Sequence, residues 1–444
     1  MRHWIFCIIA SIFAVIPCGC ASPSDKDEMI KMELSQSATS RPVTTQPDVV
    51  KDSLTLTEAV NLAVQYNPEL KSAEKEIDAA SARIIQAKLL PNPSIFAETE
   101  DGRSKSWGFG NEYKSVFGLS QPIPLGGKIN ARTVVAEKEK QITLSTYELN
   151  LRQIIARTKK AFVDILAAQE LVNIAADNLE IARKLFDSAK ARLEAGAAPE
   201  TEQIKAQIEL SQAEVSLRNA QTEFTQAQKR LNTLLGNVDI NIKNYDGALR
   251  EIIPDLQDKQ IEEMVLASYP ELLSAVKAKE LAQAQLELAQ AERYPDIDIG
   301  VGTGKIRGTE ETNIIEWGVN IPFPLFDRNQ GRIREAEALI IKAQKDHEAA
   351  LNQVCLETRQ TLLALGNTAN YVRTYKEKVV PQAERSLSLI SEGYRQGKFT
   401  YIELLDAQRT LAETRENYLK LLAELNNLVI EIEQLTGKPI EELK

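Results

Sequence analysis

The sequence of 444 residues contains itself twice. Asn67-Pro68-Glu69-Leu70 returns as Tyr269-Pro270-Glu271-Leu272, and Pro93 returns as Pro295. Gln121-Pro122-Ile123-Pro124-Leu125 returns as Ile321-Pro322-Phe323-Pro324-Leu325. Gly196 matches Gly397, Ala206-Gln207 matches Ala407-Gln408, and Leu234-Leu235-Gly236 matches Leu435-Thr436-Gly437. The offset stays between 200 and 202 throughout. A colinear series of this kind marks two copies of one unit. We place the copies at residues 54–245 and 256–438. A leader (1–20) and a polar arm (21–53) precede them.

Each unit opens with a helix. Thr55-Leu56-Thr57-Glu58 fits a capping box, and Asp258 is the expected N-cap of the second copy. A strand pair follows. In Asp296–Thr303 the residues Ile297, Ile299, Val301 and Thr303 share one face, and Asp296, Asp298 and two glycines share the other. Ile315, Trp317, Val319 and Ile321 alternate with Glu316, Gly318 and Asn320 in the returning strand. Residues 94–100 and 113–121 repeat the pattern in the first copy.

Then comes a rod. No glycine or proline interrupts Lys128–Ala195, which at 1.5 Å rise per residue is roughly 100 Å of helix. Gly366-Asn367 and Pro381 predict a break in the second copy. Gly196 and Gly397 reverse the chain. Leu210, Ala213, Leu217, Ala220, Phe224, Ala227, Leu231 and Leu234 form a heptad seam on the return helix. Leu411, Thr414, Tyr418, Leu421, Leu425, Leu428, Ile432 and Leu435 hold the same phase. A sustained 3.5-residue period predicts coiled-coil packing of long antiparallel helices.

Four strands are too few to close a barrel, and an open sheet with an apolar face invites edge pairing. Closure by symmetry removes the problem: three chains would supply twelve strands of an outer-membrane barrel, with the long helices projecting as a tunnel. Asp296, Asp298, Glu316 and Asn320 would then face the lumen. The expected class is mainly α with a small β part. Twenty glycines and 17 prolines are too few for a loop-rich all-β protein, and 53 basic against 63 acidic residues argue against a nucleic-acid partner.

Met1–Ala21 reads as an export signal, with Arg2 before the apolar run Trp4–Val15. Ordinary cleavage near Gly19-Cys20-Ala21 is one route. Cleavage before Cys20 with acylation of Cys20 is the other; Gly19 and Ala21-Ser22 suit it, whereas Pro17 and Cys18 depart from the usual signal. Cys7 and Cys18 leave with the leader, so no disulfide framework is implied for Cys20 and Cys355.

The duplicated strand-and-rod unit, together with Tyr394-Arg395-Gln396-Gly397 and Leu404-Leu405-Asp406-Ala407-Gln408-Arg409-Thr410-Leu411, resembles the TolC-like outer-membrane efflux family. Gln121–Lys128 and Pro322–Gly331 are similar to its cobalt–zinc–cadmium branch. The resemblance implies a homotrimeric exit duct in the outer membrane of a Gram-negative bacterium, its helices in the periplasm. A periplasmic adaptor and a resistance–nodulation–division pump of the inner membrane would drive it. It implies an acidic aperture at the helix tips, at Glu202, Glu403 and Asp406. Glu403 and Asp406 share a helix face, and three-fold symmetry would turn each into a ring that favours cations. The plainer reading of these residues is a solvated first turn whose charge suits the helix dipole. Phe399 stands where a gating basic residue occurs in the family, so a salt-bridge latch is not expected.

No catalytic constellation is expected. His347 is the one histidine left after the leader, no phosphate-cradling glycine loop occurs, and no cofactor motif is present. Met29, Met32 and Met264 are the only methionines after Met1 and no Cys/His group has metal-ligand spacing, so cargo would pass without tight capture. Divalent heavy metals are the expected cargo; drugs, organic solutes or secreted polypeptide are the alternative. A periplasmic coiled-coil scaffold without a pore is the reading of another class.

Overall fold

The computed structural model describes residues 53–101, 113–237, 242, 244–254, 256–307 and 310–443. The leader, nearly all of the arm and Cys20 lie outside them. The order is β1 (Ser53–Thr55), α1 (Leu56–Tyr66), α2 (Pro68–Lys88), β2 (Ser94–Asp101), β3 (Tyr113–Ile123), α3 (Lys128–Glu194), α4 (Glu200–Leu234) and β4 (Asn244–Asp246). The second half follows as α5 (Asp258–Ser268), α6 (Pro270–Ala291), β5 (Ile297–Arg307), β6 (Glu311–Asn320), α7 (Gln330–Thr374), a π-turn (Tyr375–Val379), α8 (Val380–Arg395) and α9 (Tyr401–Thr436).

The local signals act as their chemistry dictates. Thr55 Oγ1 accepts from the Glu58 N–H at 3.4 Å, and the Glu58 carboxylate accepts from the Thr55 N–H at 3.2 Å, closing the capping box over α1. Asp258 differs from its expected role: Gln257 is the N-cap, and Asp258 is the first helical residue. There its charge still suits the dipole.

Helix α3 is unbroken over 67 residues. The expected break at Gly366-Asn367 does not exist, because α7 runs through both residues. A helical glycine costs only about 1 kcal/mol against alanine, and buried Val354, Thr358, Leu362, Leu365 and Val372 on the same helix outweigh it. Pro381, which lacks an N–H, is absorbed by the π-turn just before it, so the chain stays helical there as well. Lys376 in that turn pairs with Glu251, which also accepts from the Tyr418 hydroxyl at 3.1 Å. The segment between the two repeats is thereby tied to α9.

Each repeat has its own core. Ala59, Ala63 and Leu70 meet Ile154, Phe162, Ile165, Leu231 and Leu235 in the first. Ile261, Val265 and Leu272 meet Val354, Leu365, Leu425, Ile432 and Leu435 in the second. On α4 the seam residues Ala220, Ala227 and Leu231 are buried, as are Leu411, Thr414, Leu425, Ile432 and Leu435 on α9. Helix α9 also buries Leu422 and Val429, because it packs on α3, α7 and α8 at once. A three-residue parallel ladder, absent from the sequence reading, joins β1 to β4 and buries Leu54 beside Tyr245.

The two hairpins merge into one antiparallel sheet of order β2-β3-β5-β6. A proline ordinarily ends strand pairing, yet β3 runs to Ile123 with Pro122 opposite Asp298. Strand β2 pairs with β3 only as far as Ser120. Pro122 is therefore paired on one side only, where its missing N–H removes no ladder bond.

Polar knots differ between the copies. Asn67 Oδ1 accepts from the N–H groups of Glu69 and Leu70, while its Nδ2 donates to the Leu234 carbonyl at 2.9 Å. The second copy has Tyr269 there, which can do neither. Arg152, on α3 of the first copy, crosses over instead and donates to the Ser268 and Leu435 carbonyls at 3.1 and 3.4 Å. One guanidinium thus ends α5 and α9 of the other repeat. Replacing Arg152 by Met leaves those carbonyls without donors and is expected to cost about 2 kcal/mol. The check is a lower thermal midpoint for Arg152→Met than for the native protein; an unchanged midpoint contradicts the assignment.

Candidate functional site

Two regions hold the residues singled out in the sequence: the tips of the long helices and the four-stranded sheet.

Both tips are built alike. Gly196 and Gly397 take φ of 69° and 73°, where an L side chain is strained. The Ala197 N–H donates to the Arg192 carbonyl and the Lys398 N–H to the Gly393 carbonyl, each at 2.8 Å, which caps α3 and α8 by the same six-residue turn. Past the glycines the copies diverge. Thr400 caps α9, and the Glu403 carboxylate accepts from its N–H at 2.7 Å and from its hydroxyl at 2.8 Å. Those bonds hold the exposed Glu403 carboxyl below the usual glutamate range. The matching residue before α4 is Pro199, with no N–H to offer. Glu202, at the place equivalent to Glu403, cannot close a box.

Glu202 turns inward instead. It accepts from the Tyr394 hydroxyl and lies 3.9 Å from Arg192, with its side chain 13% exposed. The Arg192 guanidinium sits over the Tyr394 ring at 4.8 Å. Tyr394 stacks edge-on against Tyr401 at 6.2 Å. Burial and the Glu202 carboxylate push the Tyr394 hydroxyl up to about 12, so it stays a donor at neutral pH. Beside it, Arg409 Nη2 donates to Glu209 at 2.6 Å. These contacts join the α3–α4 tip to the α8–α9 tip. Phe399 lies back on Gly393, in space a Cβ there would fill at 2.3 Å. Glu403 and Asp406 remain exposed on the face of α9 opposite buried Tyr401, Leu404 and Gln408. The structure thus groups Glu403 with Asp406 and sets Glu202 apart, inside the chain. Tyr394 stood in the quoted motif without a role, and Arg192 and Glu209 carried no local signal, because only the tip geometry brings them together.

The sheet separates its faces cleanly. Register places Ile95, Leu119, Val301 and Trp317 in one row and Ala97, Phe117, Thr303 and Ile315 in the next. With Ile123, Ile297, Ile299 and Val319 they form an apolar band roughly 20 Å long along the strands. It is bare: Trp317 is 78% and Ile315 81% exposed. Beyond it the face turns polar at Ser115, Lys305 and Asn313. The opposite face carries Gly118, Gly300, Gly302, Gly304 and Gly318. A Cβ at Gly118 would lie 2.6 Å from the Phe96 ring and 2.5 Å from the Val301 carbonyl, so glycine lets Phe96 lie across the strands.

Glu316, Asp298 and Asn320 are on this second face. Asp298 and Asn320 are register partners. Lys114 Nζ lies 2.8 Å from Glu316 and 3.9 Å from Glu100. Asp296 is a departure: it precedes β5 and pairs with Lys128 at 2.5 Å, at the start of α3. It joins sheet to helix rather than standing on a strand. Among the described residues no group of three or more His, Cys, Asp or Glu could hold a metal ion.

Tyr394→Phe deletes the bond to Glu202 and leaves that carboxylate with the longer Arg192 contact. The loss of about 1.5 kcal/mol should speed amide exchange at Ala197 and Lys398 roughly tenfold. Unchanged exchange at both positions would refute the link.

Comparison with known proteins places this geometry. Residues 59–237 and 262–438 match the model of outer membrane efflux proteins. The chain is 32% identical over 395 residues to the cobalt-zinc-cadmium resistance protein CzcC of Cupriavidus metallidurans, covering 87% of this chain and 90% of that one. It is 26% identical over 408 residues to the outer membrane protein TolC of Escherichia coli, covering 82% and 81%. Among solved structures, the transmembrane channel CusC superimposes with a TM-score of 0.72 at 16% identity, over 87% of this chain and 92% of that one. The family model covers both repeats and the fold is shared along most of the chain, and this chain belongs to the outer membrane efflux protein family.

Proposed function

We propose that three copies of this chain close one channel and that its cargo is divalent heavy-metal cations. The single observation that carries the closure is the four-stranded sheet, which has unpaired outer edges on β2 and β6 and a bare apolar band. In lipid an open edge leaves N–H and C=O groups without partners, so only a closed barrel is stable. Each repeat, 54–245 and 256–438, supplies one hairpin and one helical arm. Three copies pair β2 to β6 around a ring of twelve strands. The apolar band meets lipid, and Asp298, Glu316 and Asn320 meet the lumen.

The cargo rests on likeness to CzcC, a cobalt-zinc-cadmium resistance protein, and on charge. Glu403 and Asp406 are exposed at the tip of every copy, which gives a periplasmic aperture ringed by carboxylates. A focused negative potential concentrates cations and repels anions. Glu202 supports the ring from inside through Tyr394 rather than lining it. The duct has no energy source of its own. A resistance–nodulation–division pump in the inner membrane and a periplasmic adaptor drive the flow, and metal choice is made by the pump. Acylated Cys20 anchors the arm to the membrane in this reading.

Planar-bilayer recordings test the aperture. Glu403→Gln with Asp406→Asn is expected to reduce cation over anion preference severalfold. In the native channel that preference persists through mildly acidic solution. Glu403 has a lowered value, so its charge and its box with Thr400 are complete above the ordinary glutamate value of about 4.3 and fade as pH falls through the lower one. A purified, membrane-extracted protein that conducts nothing in either form would favour the scaffold reading. Deleting the gene and comparing tolerance to zinc, cobalt, cadmium and copper with a drug panel tests the cargo. Unchanged metal tolerance with greater drug sensitivity overturns it.

A further inference from the structure

Where the sheet hands over to the long helices, apolar surface and spare positive charge meet. Phe323 and Phe326 are 80% and 90% exposed, and Leu325 and Tyr294 are each 59% exposed. Phe323 comes three residues after the end of β6, so the ledge begins where the sheet ends, and with it the apolar band that the proposed barrel turns to lipid. It rims a cleft of 850 Å³. The first turns of α3 and α7 and the end of α6 line that cleft and bring in Lys128, Arg132, Arg293 and Arg332.

Two of these cations are spent. Lys128 pairs with Asp296 at 2.5 Å and Arg332 with Glu292 at 3.0 Å. Asp327, also in the lining, accepts from the Asn329 N–H at 2.9 Å. The guanidinium groups of Arg132 and Arg293 have no hydrogen-bond or ion-pair partner among the described residues. The lining sets three carboxylates, Glu292, Asp296 and Asp327, against the four cations, so one positive charge is left over. The first turns of α3 and α7, which border the cleft, hold no carboxylate.

A soluble anion would satisfy the arginines and leave both phenylalanines in water. A zwitterionic lipid would cover the ledge and leave net positive charge. An amphiphile with an anionic head and acyl chains answers both. We propose that this cleft seats an anionic glycerophospholipid of the periplasmic leaflet, its phosphate between Arg132 and Arg293 and its acyl chains along Phe323 and Phe326. Such a lipid would fix the depth of the sheet in the membrane at the point where strand becomes helix.

Native mass spectrometry of the delipidated full-length protein in its assembled form tests this. Phosphatidylglycerol is expected to bind at roughly tenfold lower concentration than phosphatidylethanolamine. Arg132→Gln with Arg293→Gln should erase that preference and leave the oligomer intact. A second measurement does not depend on that variant folding. With Trp317→Phe as the background, Phe326→Trp adds an emission that brominated phosphatidylglycerol should quench. Equal binding of the two lipids by the native protein overturns the proposal. So does displacement of phosphatidylglycerol by millimolar inorganic phosphate, which would mark a site for a soluble anion. An added tryptophan that brominated lipid cannot quench overturns it too, since a neighbouring copy then covers the cleft.

Discussion

The packing of α3 against its neighbours is the interaction on which the rest of the fold depends. An isolated helix draws little stability from propensity in water, and most comes from the face it buries. Helix α3 is in contact with α1, α2, α4, α6 and α9, so it buries different sides at different heights. Ile154, Phe162 and Ile165 enter one core, Val163 joins Ile430 in another, and Ala189 meets Ala206 and Leu404 near the tips. The sheet and the tip network sit at opposite ends of this one rod. Each is held in place by the same seam.

Duplication made two equivalent halves, and single residues then gave them different tasks. Thr400 and Pro199 hold matching places, but only Thr400 offers a side-chain hydroxyl and a backbone N–H. Glu403 is therefore fixed on the surface as part of a cap, and Glu202 is released to take the Tyr394 hydroxyl. Asn67 and Tyr269 diverge in the same way. The asparagine ends two helices by itself, whereas the tyrosine position is served by Arg152 from the other repeat. Both exchanges move a polar group between local and long-range partners, and they stitch the halves together.

The large features were legible in the residues. The absence of glycine and proline from Lys128 to Ala195 marked the rod, since nothing in it opposes helix. The alternation around Trp317 marked the strands, and the heptads marked the seam. Breakers read less well: Gly366-Asn367 was absorbed because seam burial outweighs a helical glycine, and Pro381 because a π-turn accommodates it. The acidic tip residues were visible as charge, but their surroundings were not. Glu403 is capped by Thr400 only three residues away, but the inward turn of Glu202 depends on Tyr394, nearly two hundred residues along the chain.

The sequence alone determined the repeat, the element types, the turns at Gly196 and Gly397 and the alternation that gives the sheet two unlike faces. Each of these follows from backbone preference and periodicity within one stretch of chain. Only the tertiary structure decided that β3 pairs with β5, that Arg152 closes helices of the opposite repeat, that Glu202 faces inward, and that Arg132 and Arg293 stand without partners beside Phe323 and Phe326. Those outcomes depend on which groups lie within about 3 Å of one another after folding, and chain-local pattern carries no record of that.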